Sequence, residues 1–211
     1  MEAQASLKWL NREQPDLDQA RRAAAAIVKD GRLAADIIDR LRSLYKKTPP
    51  QREPADVGEI IGEMALLLRS EANEHAVSIR TDIAAGLPKI TVDRVQLQQV
   101  LMNLMLNGIE AMKETGGVLM VKTQRGEGGQ VLISISDTGV GLPVEKADEI
   151  FNTFFTTKPQ GSGMGLAISK SIIESHGGRI WANNDGGRGA TFHFTLPAVA
   201  PAKTDPPMDT A

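Results

Sequence analysis

Apolar residues recur at two periods along this chain, and the switches between those periods divide it into elements. From Leu17 they step by three and four in turn, through Ala20, Ala24, Ile27, Gly31, Ala34, Ile38, Leu41 and Tyr45. A seam of that kind predicts a long, coiled-coil-like helix packed lengthwise on another helix. Pro15-Asp16 signals its start, and Lys46-Lys47-Thr48-Pro49-Pro50 followed by Pro54 breaks the chain after it. A helix cut off from its domain by a proline-rich linker, residues 49–55, needs a partner of its own, and a homodimer through residues 16–47 is the simplest provision. The plainer alternative is an amphipathic helix lying on its own domain.

Beyond the linker, Asp56 and Glu59 form a capping-box pattern, and Val57, Ile60, Ile61, Met64, Leu67 and Leu68 share one face of the helix that follows. Val77 to Ile83 alternates as a strand. Asp93 caps a helix running to about Met112. Val118 to Thr123 and Val131 to Ser136 read as neighbouring strands around the turn Gly126-Glu127-Gly128-Gly129. A glycine-rich stretch then leads into a helix over Gly165 to Ser175, closed by His176-Gly177-Gly178, and two further strands cover Arg179 to Ala182 and Ala190 to Leu196. Helices and strands mix without regular βαβ alternation, which predicts an α+β fold with a layer of helices on one face of a sheet. The last stretch, residues 198–211, has little to bury and is expected to be a disordered tail.

Composition narrows the picture. With 41% hydrophobic residues in 211 the chain can bury a real core, and with 4% aromatics that core must be aliphatic. A formal net charge of -2 argues against nucleic acid and anionic lipid as partners. The absence of cysteine excludes disulfides, thiolate catalysis and cysteine-ligated zinc, and fits a cytoplasmic protein. No apolar run approaches the roughly 20 residues of a membrane span, and the N-terminus has no basic-then-apolar signal pattern, so no membrane contact by this chain is expected.

Candidate chemistry starts on the helix after Asp93. At 100° per residue, Gln96, Gln99, Asn103, Asn107 and Glu110 fall on one narrow stripe, while apolar residues occupy most of the remaining surface. A plain solvent face is usually rich in Lys and Glu; this one is mainly amides. Asparagine is a poor helix former, so two of them a turn apart suggest that their oxygens are needed. Magnesium bound with a nucleotide fits, because it keeps most of its waters and takes only one or two oxygens from protein.

Asp137-Thr138-Gly139-Val140-Gly141 follows a buried strand. It reads as a turn, or as a nucleobase site in which Asp137 accepts a hydrogen bond from an exocyclic amine and Gly139 and Gly141 admit a flat ring. Adenine has that amine; guanine presents a carbonyl at the same carbon. The glycines at 161, 163 and 165 match neither the Walker pattern nor G-x-G-x-x-G after a strand. Phe151, Phe154 and Phe155 read as hydrophobic anchors on one side of a mobile segment, with the helix from Gly165 as the anchor on the other. At that helix start the amides of Gly163 to Leu166 can meet phosphate oxygens, and Lys158 can supply a point charge.

In order and spacing, QQVLMNLMLNGIEAM, DTGVGL, FNTFFTTKPQGSGMGLAIS and GRGATFHFTLP resemble the N, first glycine, F and second glycine boxes and the closing strand of bacterial sensor histidine kinases, relatives of the gyrase, heat-shock chaperone and mismatch-repair ATPases. The resemblance spans about residues 57 to 197. It implies a two-layer α/β sandwich of the Bergerat type over residues 56–197, a mixed sheet covered by helices on one face, binding ATP and Mg2+ beneath a flexible lid. By the same resemblance Asn107 holds magnesium and Asp137 reads adenine, with Gly139 and Gly141 making room for it. Gly161, Ser162, Gly163, Gly165 and Leu166 form the lid edge and phosphate contacts, and Thr191 sits near the base.

The hydrolysing relatives carry a glutamate, a general base for water, one turn before the metal-binding asparagine. This chain has Asn103 there, which favours phosphoryl transfer to a protein side chain. Residues 1–48 look like a remnant of the family's dimerisation hairpin, whose phosphoacceptor histidine would lie upstream of Met1. His75, His176 and His193 are poor substitutes for it by their positions, near a helix end, in a Gly-Gly cap and in an edge-type strand. The resemblance therefore implies a kinase acting on a histidine outside this chain, with a histidine-bearing hairpin and a response regulator as partners. The alternatives are a nucleotide-binding pseudokinase or dimeric regulatory module, and a serine kinase of the anti-sigma-factor type. The role of Glu110 is open.

Overall fold

Asp56 and Asp93 each start the helix that the sequence assigns to them. In the computed structural model, which describes residues 9, 16–24, 27, 51–142, 149–157, 161–184 and 189–199, the Asp56 carboxylate accepts from the amides of Gly58 (2.7 Å) and Glu59 (3.4 Å). Asp93 accepts from the Gln96 amide at 3.1 Å. Each bond satisfies a first-turn donor that the helix itself leaves open. The chain divides into two units, Met1–Thr48 and Pro49–Ala211.

In the first unit residues 17–24 are helical. Asp16 caps them as the sequence predicts, accepting from the Gln19 amide at 3.0 Å. Along the seam Ala20 is buried, whereas Leu17 and Ile27 are 59% and 37% exposed. The seam from Gly31 to Tyr45 lies outside the described residues.

The second unit runs β1 (Glu53–Ala55), α1 (Val57–Leu67), α2 (Arg69–Glu74), β2 (Val77–Ile83), β3 (Ile90–Val92), α3 (Arg94–Ala111), β4 (Gly117–Arg125), β5 (Gln130–Asp137), α4 (Gly165–Ser175), β6 (Arg179–Asn184) and β7 (Ala190–Pro197). Short 3-10 turns cover Glu127–Gly129 and Glu149–Phe151. The main sheet has the order β2-β4-β5-β7-β6, with β2 parallel to β4 and the other pairs antiparallel. The parallel pair follows from the chain between them, since α3 intervenes and supplies the crossover that such pairing requires.

Alternation decides the layers. Along β5, Val131, Ile133, Ile135 and Asp137 are buried while the residues between them are half-buried; Phe192, Phe194 and Leu196 continue that core face on β7. Against it lie Leu97, Leu101, Leu104, Met105 and Ile109 of α3, all nearly inaccessible, with Ile60 and Ile61 of α1 and Ile173 of α4 in the same cluster. The core is aliphatic, as composition requires, with Phe194 its largest fully buried side chain. The opposite face carries the row Asp82, Lys122, Ser134, His193 and Trp181.

The structure departs from the sequence reading at both ends of this unit. Glu53–Ala55, assigned to the linker, is a strand antiparallel to β3. Pro54 is tolerated because this sheet has only two strands, and a missing donor matters little at an edge. The expected tail also begins too early: Ala198 bridges to Ile90, and the Val199 amide donates to the Lys89 carbonyl at 2.7 Å. Residues 200–211 lie outside the described residues. Among the described residues no helix is long and apolar enough to cross a membrane.

Candidate nucleotide site

Asp137 ends β5 with its carboxyl group on the helix-facing side, 8% exposed. Its Oδ1 accepts from the amides of Gly139 (2.9 Å) and Ala190 (3.4 Å), so the carboxylate is oriented by backbone from two directions. Glycines surround it. A Cβ on Gly108 would stand 3.4 Å from Asp137 Cβ and 2.5 Å from Leu119 Cδ1, and one on Gly189 would overlap the Asp137 carbonyl oxygen. Gly139 has a further reason to be bare, since its Cβ would come within 2.6 Å of the Ala111 carbonyl oxygen at the end of α3. Gly141 holds φ +76, a conformation side chains rarely adopt. Thr138 ties the same turn to its neighbours: its Oγ1 accepts from the Val118 amide at 3.1 Å.

The amide stripe lies on α3, the helix whose Gly108 faces the Asp137 side chain. Gln96, Gln99, Asn103 and Asn107 are half-buried and Glu110 is exposed. Asn103 is fixed: its Nδ2 donates to Ser169 Oγ of α4 at 3.0 Å, and its carboxamide fills the space a Cβ on Gly165 would need. That residue therefore joins the start of α4 to the stripe. Asn107 lies one turn further on, immediately before Gly108. Glu110 lines a separate cavity of about 310 Å³ with Glu71, His75, Leu106, Ile109 and Lys113.

The start of α4 differs from those of α1 and α3. Its cap position is Met164, and no side chain caps it. Gly163 holds φ +65, and a Cβ there would overlap the backbone of Phe154, whose amide donates to the Gly163 carbonyl at 2.9 Å. Ser162 Oγ accepts from the Met164 amide at 3.4 Å. Gly165 and Leu166 are half-buried and Gly161 is exposed. Lys158 lies outside the described residues. Uncapped first-turn amides at a glycine-lined helix start suit an anionic ligand.

One sequence expectation changes here, that of three phenylalanine rings as anchors. Phe151 is buried edge-on against Phe192 and Phe155 packs on the core, but Phe154 is 73% exposed with φ +70; what anchors at that position is its backbone bond to Gly163, not its ring. Thr191 pairs in register with Ser136, and their hydroxyls are 2.8 Å apart. The adjoining residue, Ala190, links β7 to the Asp137 carboxylate through its amide.

The histidines hold structural places. His75 caps the end of α2 with Nε2 3.5 Å from Glu71. His176 is buried, accepting from the Asp93 amide at Nε2 (3.0 Å) with Nδ1 2.8 Å from the Ile172 carbonyl oxygen, an arrangement that assigns the proton to Nδ1. His193 is on an inner strand, not an edge, because β6 covers β7; its Nδ1 is 2.9 Å from Ser134 Oγ and its ring stacks on Trp181.

Sequence reasoning missed Gly108, Gly189, Ser169 and Asn184. The last bonds the backbone of Leu142 through both polar atoms of its side chain. Gly108 carried a signal, a glycine inside an otherwise strong helix pattern; the others act through contacts distant in sequence.

Residues 92–200 match the family described as histidine kinase-, DNA gyrase B-, and HSP90-like ATPase. The chain is 36% identical over 199 residues to the sensor histidine kinase TmoS of Ectopseudomonas mendocina, a match covering 92% of this chain and 20% of that protein. It is 40% identical over 167 residues to the sensor protein FixL of Bradyrhizobium diazoefficiens, covering 79% of this chain and 33% of that one. The chain thus spans a third or less of these relatives. Among solved structures, the catalytic domain of histidine kinase ThkA superposes with a TM-score of 0.63 at 31% identity, over 70% of this chain and 95% of that domain. Full-length ShkA in complex with AMPPNP gives a TM-score of 0.73 at 26% identity, over 95% of this chain and 44% of ShkA. The chain belongs to the histidine kinase-, DNA gyrase B- and HSP90-like ATPase family, in the company of the sensor histidine kinases.

Proposed function

We propose that this chain is the ATP-binding part of a sensor histidine kinase and transfers the γ-phosphoryl group of ATP to a histidine on a dimerisation hairpin, from which a response regulator is served. The observation that carries the reading is the junction of Asp137, the amide stripe of α3 and the uncapped start of α4 in one unit. Asp137 accepts from the adenine amine, and Gly108, bare beside the Asp137 side chain, keeps the α3 side of the carboxylate open. Phosphates meet the amides from Gly163 to Leu166, with Lys158 as an added charge. Asn107 is the oxygen ligand for Mg2+, an ion that takes few protein oxygens. Bound with ATP, magnesium neutralises charge on the β- and γ-phosphates.

Transfer forms a bond between an imidazole nitrogen and the γ-phosphorus and breaks the bond from that phosphorus to the β,γ-bridging oxygen. ADP leaves, and the imidazole proton passes to solvent. Asn103 supports this outcome over hydrolysis: an amide donating to Ser169 cannot take a proton from water.

The test is to mix the purified chain with Mg2+, ATP labelled on the γ-phosphate and a separately supplied histidine-bearing hairpin. Label on the hairpin should be lost in acid, as phosphohistidine is, and Asn107→Ala should abolish labelling while the chain stays folded. Acid-stable label would move the acceptor to serine, and failure to bind a fluorescent ATP analogue would remove the reading.

A further inference from the structure

We propose that Asn184 is a positioning residue for nucleotide, holding the turn after Asp137 at the width that adenine requires; the inference rests on the ATP-binding reading above. The segment from Asp137 to Leu142 is tied down at its start, by Thr138 and the close approach of Gly139 to Ala111, and Leu142 packs on the core at its end. It contains two glycines, and Val140 between them is 84% exposed. Between those two ends Gly141 needs a further restraint of its own.

Asn184, the last residue of β6, supplies that. Its Oδ1 accepts from the Leu142 amide at 2.9 Å and its Nδ2 donates to the Leu142 carbonyl at 2.6 Å. Both bonds go to one residue, so the carboxamide mimics the edge of a strand and grips the turn in two directions. Only a side-chain amide donates and accepts from neighbouring atoms in this way, and a flipped amide would set like against like. The grip brings Gly141 against the start of β7: a Cβ on Gly141 would be 3.1 Å from the Gly189 carbonyl oxygen and 3.5 Å from Asn184 Oδ1. Gly189 in turn lies on the Asp137 carbonyl. Asp137, Gly189, Gly141 and Asn184 thus form one line of close approaches, which ends on the Asp137 main chain and, through the Ala190 amide next to Gly189, on its carboxylate. Asn184 touches no reacting atom; it acts through the backbone of Gly141 and Leu142.

Asn184→Asp and Asn184→Ala in the full chain test this. The aspartate is nearly isosteric and keeps the acceptor for the Leu142 amide, but it turns the 2.6 Å donor bond into a contact between a carboxylate and a carbonyl. Affinities for MgADP and for inorganic tripolyphosphate with Mg2+ are measured by competition against a fluorescent ATP analogue, with urea unfolding in parallel. MgADP should weaken about tenfold or more in both variants, the loss expected of one or two ordinary hydrogen bonds, while tripolyphosphate changes less than about twofold. A purely structural residue would lower stability and affect both ligands alike, and that result overturns the inference, as does unchanged MgADP binding. If neither variant folds, the clamp belongs to the fold and not to the site, and the inference also fails. A wild-type chain that binds neither ligand would instead remove the ATP-binding reading itself.

Discussion

At the scale of single residues, Asp137 and Gly139 make separable contributions although they stand two apart. Asp137→Asn retains an oxygen for the Gly139 and Ala190 amides but can turn an NH2 group toward the adenine amine. The folded chain should then bind MgATP weaker by about 1.5–3 kcal/mol, the worth of one charged hydrogen bond, with its urea midpoint nearly unchanged. Calorimetric titration of both proteins checks this, and equal affinities would remove the base-reading role. Gly139→Ala should act the other way round. Its new Cβ would press on the Ala111 carbonyl, which belongs to a helix backbone and cannot swing aside, so stability should fall by about 1–3 kcal/mol. An unchanged urea midpoint would show that the α3 end yields more easily than this packing suggests.

At the scale of elements, α4 is held at both ends. Its start abuts Asn103; its end is bonded by Arg52, whose Nη2 donates to the Ser175 carbonyl at 2.6 Å, and by His176, which accepts from Asp93 at the head of α3. His176→Ala leaves the Asp93 amide without that acceptor and should cost about 1–3 kcal/mol in urea unfolding. His176→Gln, which can offer an oxygen to the same amide, should recover part of it; no loss in either variant would show that the α3–α4 link is carried elsewhere. This element also shows what sequence can and cannot disclose. Its range, Gly165–Ser175, follows from periodicity and the Gly-Gly stop, as the long helix α3 follows from Asp93 and its apolar face. The strands β1 and β3 do not: three residues each, one holding Pro54, they exist because they pair with each other. The helix α2 is equally silent, with only Ala72 buried among polar neighbours. In the site, the boxes were legible because glycines and amides stood out of their local pattern. The clamp of Asn184 on Leu142 and the bond from Asn103 to Ser169 were not, since each joins residues 42 or 66 positions apart.

At the scale of the whole molecule, the two units differ in what they need. Residues 49–211 close their own core, with Phe194, Leu101 and Ile133 fully buried inside one cluster. Burial on that scale, at about 25 cal/mol per Å² of apolar surface, is what lets a domain of this size fold alone. The described residues of the first unit show a different condition: on the heptad seam Ala20 is buried, but Leu17 and Ile27 are exposed. An exposed seam of this period is stabilised when a second helix covers it. The full chain should therefore sediment as a dimer whose fraction rises with concentration, while residues 49–211 alone should remain monomeric and still bind MgATP. Leu17→Glu combined with Ile27→Glu should shift the full chain toward monomer, because paired seams would bring like charges together in an apolar contact. Sedimentation at several concentrations reads all three proteins. Dimerisation of residues 49–211 would move the interface onto the ATP-binding unit. A full chain that stays monomeric at every concentration would overturn self-association through this seam and leave it to a helix of another protein.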